Sequence, residues 1–150
     1  LMANYILEGV YFYSGFMFFY NLSRNGKMPG SAQEIRYINR DENTHLWLFR
    51  NIILELQKEQ PELFGTENVR MMRELLEEGV RQETAWGHYV IGDAIPGLTR
   101  QMVTDYIRYL AICAGRAWAS ARCMRVMSRA GQHGLGEPVF QRQPGENGFL

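Results

Sequence analysis

Between residues 35 and 53 an apolar helical pattern of Ile35, Ile38, Leu46, Leu48, Phe49, Ile52 and Ile53 is interrupted by Asp41, Glu42 and His45. This interruption constrains the fold more than any other feature. On a wet face two acids and an imidazole mean nothing, but buried together they need partners, because an unpaired charge in a core costs several kcal/mol. A second intrusion lies near the start, in "YILEGVYFYSGFMFF". There Glu8 stands among Leu7, Tyr11, Phe12, Phe16 and Phe19, which leave little room for a solvated face. A bundle that sets Glu8 opposite Glu42 and His45 would answer both puzzles at once.

Four helices are expected. The first runs from about residue 2 to 24 and closes at Asn25-Gly26. A second opens at Ser31, whose spacing to Glu34 is that of a capping box, and runs to about residue 60, where Pro61 stops it. The third spans about 66–92, with Gly92 as its C-terminal stop. After the loop "GDAIPG", Thr99 can cap a fourth. No strand-period run or internal repeat interrupts them, so the class is all-α, antiparallel helices with short links in one domain. Residues 1–110 hold 11 Lys/Arg against 14 Asp/Glu, whereas residues 111–150 hold 5 against 2. From Gly131 onward periodicity is lost. Residues 111–150 therefore read as an atypical basic, Gly-rich tail, either disordered or translated out of frame.

A net charge of zero argues against a nucleic-acid partner. The apolar N-terminal run carries Glu8 and no basic flank, so neither a signal peptide nor a membrane anchor is expected. Cys113 and Cys123 fit no metal or disulfide spacing and read as inert thiols in a reducing cytoplasm. Leu1 is no initiator, which makes a fragment of a longer protein the expectation. His88 reads as a packed or surface histidine, and His133 carries no signal. "HGLGEP" lacks the lysine and strand of a phosphate loop. Arg70, Arg73, Glu74, Glu77, Glu78 and Arg81 read as a solvated helix face, and Met71-Met72 as gap-filling core.

Glu42 and His45 lie three apart and so share one helix face. Glu-x-x-His is the unit by which di-iron and di-manganese carboxylate bundles hold their metals. Carboxylates offset metal charge in a dry core, and imidazole suits iron and its neighbours. Spacing alone leaves the metal centre and an accidental pair on a solvated face both open.

Longer matches add to this reading. "LEGVYFYSGF" is followed, over thirty residues on, by "IRYINRDENTH", and further on by "RQETAWGHYVIGDAIPGLTRQMVTDYIRYLA". This order resembles the small subunit of class I ribonucleotide reductase over roughly residues 1–111. The resemblance implies a ferritin-like helical bundle, of which residues 1–110 would be the C-terminal part. It implies Glu8, Glu42 and His45 as ligands of a di-metal centre, most simply two iron, with manganese or a mixed pair as alternatives. Asp41 would hydrogen-bond a metal-bound imidazole on the radical path, and Phe12 and Phe16 would line the pocket protecting the radical. It also implies a homodimer that works with the large subunit in making deoxyribonucleotides.

Two departures qualify that picture. The family takes its other ligands, an acid and a second Glu-x-x-His pair, from helices upstream of the segment where this sequence starts. The isolated polypeptide is therefore expected to generate no radical. After "YIRYLA" the family pattern is lost as the charge reverses, and other reading frames of the gene would reveal any displaced continuation. Two further readings stay open at this point: another ferritin-like di-metal oxidase, and a helical remnant without chemistry.

Overall fold

The computed structural model describes residues 1–118, the last three by their backbone only. All regular structure among the described residues is helical: α1 (Met2–Gly9), α2 (Tyr13–Arg24), α3 (Pro29–Glu59), α4 (Thr66–Val90) and α5 (Arg100–Trp118), with a 3-10 turn at Pro61–Phe64. The tail beyond Trp118, with Cys123 and His133, lies outside the described residues. Residues Ala111–Trp118 continue α5 past the change in composition.

The expected first helix is two helices. The chain leaves the helical path at Val10–Phe12, where the Phe12 backbone turns left-handed at φ 75° before α2 begins. A non-glycine residue there costs about 1–3 kcal/mol and persists only where its surroundings impose it. α1 and α2 thus form one broken rod, packed on α3 and α4. With α3, α4 and α5 this makes four rods.

The expected capping box does not form. α3 begins at Pro29, two residues before Ser31, with no side-chain cap. Proline at the first helical position has no N–H to satisfy and a φ already suited to the helix, so the chain enters the helix earlier than Ser31 would start it. Other boundaries match the sequence reading. The 3-10 turn at Pro61 ends α3, Gly92 takes a left-handed φ of 54° after α4, and Thr99 Oγ1 accepts the Met102 N–H at 3.2 Å to cap α5.

The core has two parts. The larger joins Ile6, Val10, Met17, Leu98, Val103 and Ile107, drawn from the broken rod, α5 and the α4–α5 loop. The smaller gathers Tyr5, Ile53 and Ala114, and Tyr5 donates its hydroxyl to the Ala114 carbonyl at 3.0 Å. α3 contributes little to either, with only Ala32 and Ile53 buried along its 31 residues. Tyr37, Ile38, Trp47, Leu48 and Ile52 remain exposed on it. Met71 is also exposed and only Met72 packs against the core, so Met71-Met72 is not the gap-filling pair expected. No described helix is long and apolar enough to cross a membrane.

Candidate metal centre

Glu8 sits in the last turn of α1, and Glu42 and His45 sit mid-way along α3. Gly9 lets the two helices approach, since a methyl group built on it would lie 2.9 Å from Leu46 Cδ2. The result is that donor atoms of Glu8, Glu42 and His45 all lie within 4.8 Å of one another. His45 Nδ1 faces both carboxylates, 3.1 Å from Glu42 Oε2 and 3.3 Å from Glu8 Oε2. The two glutamate side chains are about one-fifth exposed, while the imidazole is half exposed. One side of the cluster is therefore built of protein and the other faces outward.

The electrostatics follow from two acids at one place. The hydrogen bond between the carboxyls holds Glu8 below the usual carboxylate range and raises Glu42 above it, so the pair retains one proton more readily than two separate acids would. Hydrogen bonds to Glu42 and then Glu8 raise His45. Burial, and then the charges of Glu42, Tyr20 and Glu8, push the Tyr13 hydroxyl well up beside them. A cation at this place would satisfy both acids and the imidazole together. Two carboxylates and one imidazole form a donor set that fits iron or manganese.

The other expected site residues are placed differently. Phe16 is buried, and its ring lies 5.0 Å from that of Tyr13. Phe12, in the helix break, is 54% exposed. Asp41 is exposed and accepts from Arg40 Nε and Nη2 at 3.1 and 3.0 Å, so it does not join the cluster. His88 is packed as expected, with Nε2 at 3.0 Å from the Arg100 carbonyl and 2.9 Å from Thr104 Oγ1. Most of the charged face of α4 is solvated as expected, with Arg70 paired to Glu67 and Glu74, and Arg81 to Glu78. Arg73 departs from it, half-buried with its Nε enclosed and without a hydrogen-bond partner among the described residues.

Glu83 is what the sequence reading missed. It is 3% exposed, on α4, and accepts from both the Ser14 N–H and the Ser14 hydroxyl, at 3.0 and 2.5 Å. The available signal was the spacing Gly79, Glu83, Gly87: two residues without side chains, each four positions from an acid, on one helix face.

The family model described as ribonucleotide reductase, small chain, matches residues 1–112. The chain belongs to the ribonucleotide reductase small-chain family. The ribonucleoside-diphosphate reductase subunit beta of Treponema pallidum (strain Nichols) is 73% identical over 109 residues, which is 73% of this chain and 31% of that protein. Its counterpart in Halalkalibacterium halodurans is 45% identical over 111 residues, 74% of this chain and 32% of the relative. Among solved structures, the R2 subunit from Clostridium botulinum superimposes with a TM-score of 0.76 at 48% identity, covering 79% of this chain and 37% of that one. A class I ribonucleotide reductase structure from Bacillus halodurans gives 0.75 at 40% identity, covering 84% and 41%.

The fold is accordingly the all-α, ferritin-like bundle of these subunits, and the family is one of oxidoreductases. The chain spans about a third of the length of these curated relatives. The matched span also agrees with the limit at which the sequence resemblance ends.

Proposed function

We propose that this chain supplies one side of the di-metal centre of a ribonucleoside-diphosphate reductase beta subunit. The observation that carries the reading is the convergence of Glu8, Glu42 and His45 within 4.8 Å, from two helices, at the family's motif positions. Glu42 would give up the shared proton to become a ligand, and His45 would bind through Nδ1, the nitrogen that faces both carboxylates. Iron is the preferred metal for this mixed oxygen–nitrogen donor set, with manganese fitting nearly as well. When bound, two such metals supply the O₂-dependent oxidation from which the family's radical is drawn.

The rest of the chain supports that chemistry from its own positions. Phe16 is buried against Tyr13, whose hydroxyl feels the charges of Glu42 and Glu8, and would keep water from that flank of the cluster. Phe12 would do so only when its exposed ring is covered in an assembly. Asp41 lies one residue before Glu42 but pairs outward to Arg40, so a role on a radical path requires it to exchange that partner for an imidazole. The reading includes a homodimer and a large subunit as partners, in the cytoplasm. The three donors found among the described residues do not suffice for two metal ions, so the isolated chain would bind a cation without producing a radical.

The test is anaerobic titration of the purified chain with Mn(II), followed by electron paramagnetic resonance, and with Fe(II) in parallel. The expected result is one saturable site, weakened on the order of a hundredfold in Glu42→Ala and in His45→Ala, as loss of a ligand predicts. Equal, weak binding by the chain and both variants would sink the metal reading and leave a helical bundle without chemistry.

A further inference from the structure

We infer that Glu83 is a positioning residue: from α4 it holds the break between α1 and α2 and so sets where Glu8 lies against Glu42 and His45. The inference rests on reading that cluster as a cation site, and it concerns what aims the cluster. Ser14 is the second residue of α2, and its N–H is one of the donors that a helix start leaves without an intrahelical partner. Glu83 Oε1 takes both that N–H and the Ser14 hydroxyl, in a seat from which water is excluded. An acid is also favoured there by the positive end of the α2 dipole.

The neighbours of Glu83 grip the same segment. Tyr11, inside the break, donates its hydroxyl to Gln82 Oε1 at 2.7 Å. One turn before Glu83, a methyl on Gly79 would lie 2.7 Å from Ile6 Cγ2 of α1. One turn after, a methyl on Gly87 would lie 3.0 Å from Ser14 Cβ of α2. The face Gly79–Glu83–Gly87 therefore seats α1 on one side, α2 on the other and the acid at the joint.

Without that acid the start of α2 loses the acceptor of its Ser14 N–H and hydroxyl, and only the Tyr11–Gln82 bond and the glycine contacts still hold the break. Phe12 sits at φ 75°, a conformation that relaxes if α1 and α2 run together as one helix. Such healing changes the turn of α1 relative to α2, because each residue of a helix advances about 100°. α2 is tied down elsewhere, through Asn21 Nδ2 donating to the Pro96 carbonyl at 2.9 Å. α1 is held in turn by the Tyr5 hydroxyl on the Ala114 carbonyl, near its start. The twist would then fall on the last turn of α1, and Glu8, two residues before the break, would shift away from His45.

Two readouts on the 150-residue chain test this. In the metal-free chain, nuclear Overhauser contacts between the Glu8 side chain and the His45 ring report the placement directly. Wild type should show them, Glu83→Ala should lose them, and Glu83→Gln, which keeps an acceptor oxygen, should restore them. Mn(II) affinity should fall about tenfold in Glu83→Ala and stay within about threefold of wild type in Glu83→Gln, the size expected for a residue behind a ligand. If Glu83→Ala fails to fold, Ser14→Ala serves instead, with weaker contacts and an affinity loss of about threefold. Contacts and affinity unchanged in a folded Glu83→Ala or Ser14→Ala chain would overturn the inference. Contacts present in wild type and lost in the variant, with no Mn(II) bound by either, would uphold the positioning role and reject the cation site.

Discussion

Glu83 and Glu42 are both glutamates on long helices, both directed at the broken rod of α1 and α2, and they have opposite surroundings. Glu83 receives two donors from Ser14. Glu42 meets a second acid and an imidazole, and its carboxyl is raised by the hydrogen bond to Glu8. A carboxylate supplied with donors is complete in the folded chain. One faced by another acid is complete only with a proton or a cation between them. The difference separates a carboxylate that the fold completes from one proposed as a metal ligand, although the side chains are identical.

The largest effect should come from breaking the first of these. Glu83→Ala leaves the buried Ser14 N–H without its acceptor, which costs about 3 kcal/mol. Urea unfolding of the chain measures it, and a loss under about 1 kcal/mol would mean that water replaces the carboxylate in its seat. Next comes the close packing beside it. A methyl on Gly87 would stand 2.6 Å from Val103 Cγ1, deep in the core, and overpacking of this kind costs about 2 kcal/mol. Gly87→Ala should therefore destabilise nearly as much as Glu83→Ala, while leaving the acid in place. A neutral result would show that α5 yields more easily than the packing implies.

How far the sequence reveals this molecule depends on where each cause lies. Helix ends at Pro61, Gly92 and Thr99 are legible because a proline, a glycine and a capping hydroxyl act within a turn of themselves. Glu42 and His45 are legible for the same reason, since a spacing of three fixes their shared face. Glu8 is legible only as an expensive acid among aromatics, until the family pattern gives it a partner. The break at Val10–Phe12 is not legible. Val-Tyr-Phe has neither glycine nor proline, and what stops the helix is Glu83, sixty-nine residues from Ser14 along the chain. The Ser31–Glu34 spacing misleads because Pro29, two residues earlier, already satisfies the helix start. Asp41 shows the last limit: adjacent to Glu42 in sequence, it turns outward to Arg40 in the fold.

The metal-free cluster should respond to pH in a direction opposite to ordinary acid denaturation. Glu42 and His45 both have raised folded values, so their protonated forms are favoured by folding. Stability from Glu42 is present below its unfolded value of 4.5 and lost as pH rises through its folded value; that from His45 is present below 6.5 and lost likewise. Glu8 is lowered, and its contribution is present above 4.5 and lost as pH falls through its folded value. From pH 4.5 to somewhat above 6.5 the metal-free chain should therefore lose stability with rising pH. Mn(II) affinity should rise over the same window as the protons leave. Glu42→Gln should flatten the stability slope and raise stability at neutral pH by less than Gly87→Ala lowers it. A slope unchanged in Glu42→Gln would place the titrating group elsewhere.

The smallest effect separates a low carboxylate from an important one. Glu78 is held down to about 2, by Arg81 first and Gln82 second, a larger displacement than most acids show. Taken alone, that figure would rank it above Glu42. Both partners of the ion pair are well exposed, however, with side-chain accessibilities of 68% for Arg81 and 43% for Glu78. Water and salt screen such a pair, and ordering two long side chains offsets most of what remains. Glu78→Gln should shift the melting temperature by no more than about 1 °C, less still in high salt, and leave Mn(II) affinity untouched. A shift comparable to that of Glu83→Ala would mean that the Glu78–Arg81–Gln82 group steadies Tyr11, through Gln82, and that the hold on the helix break extends to the surface of α4.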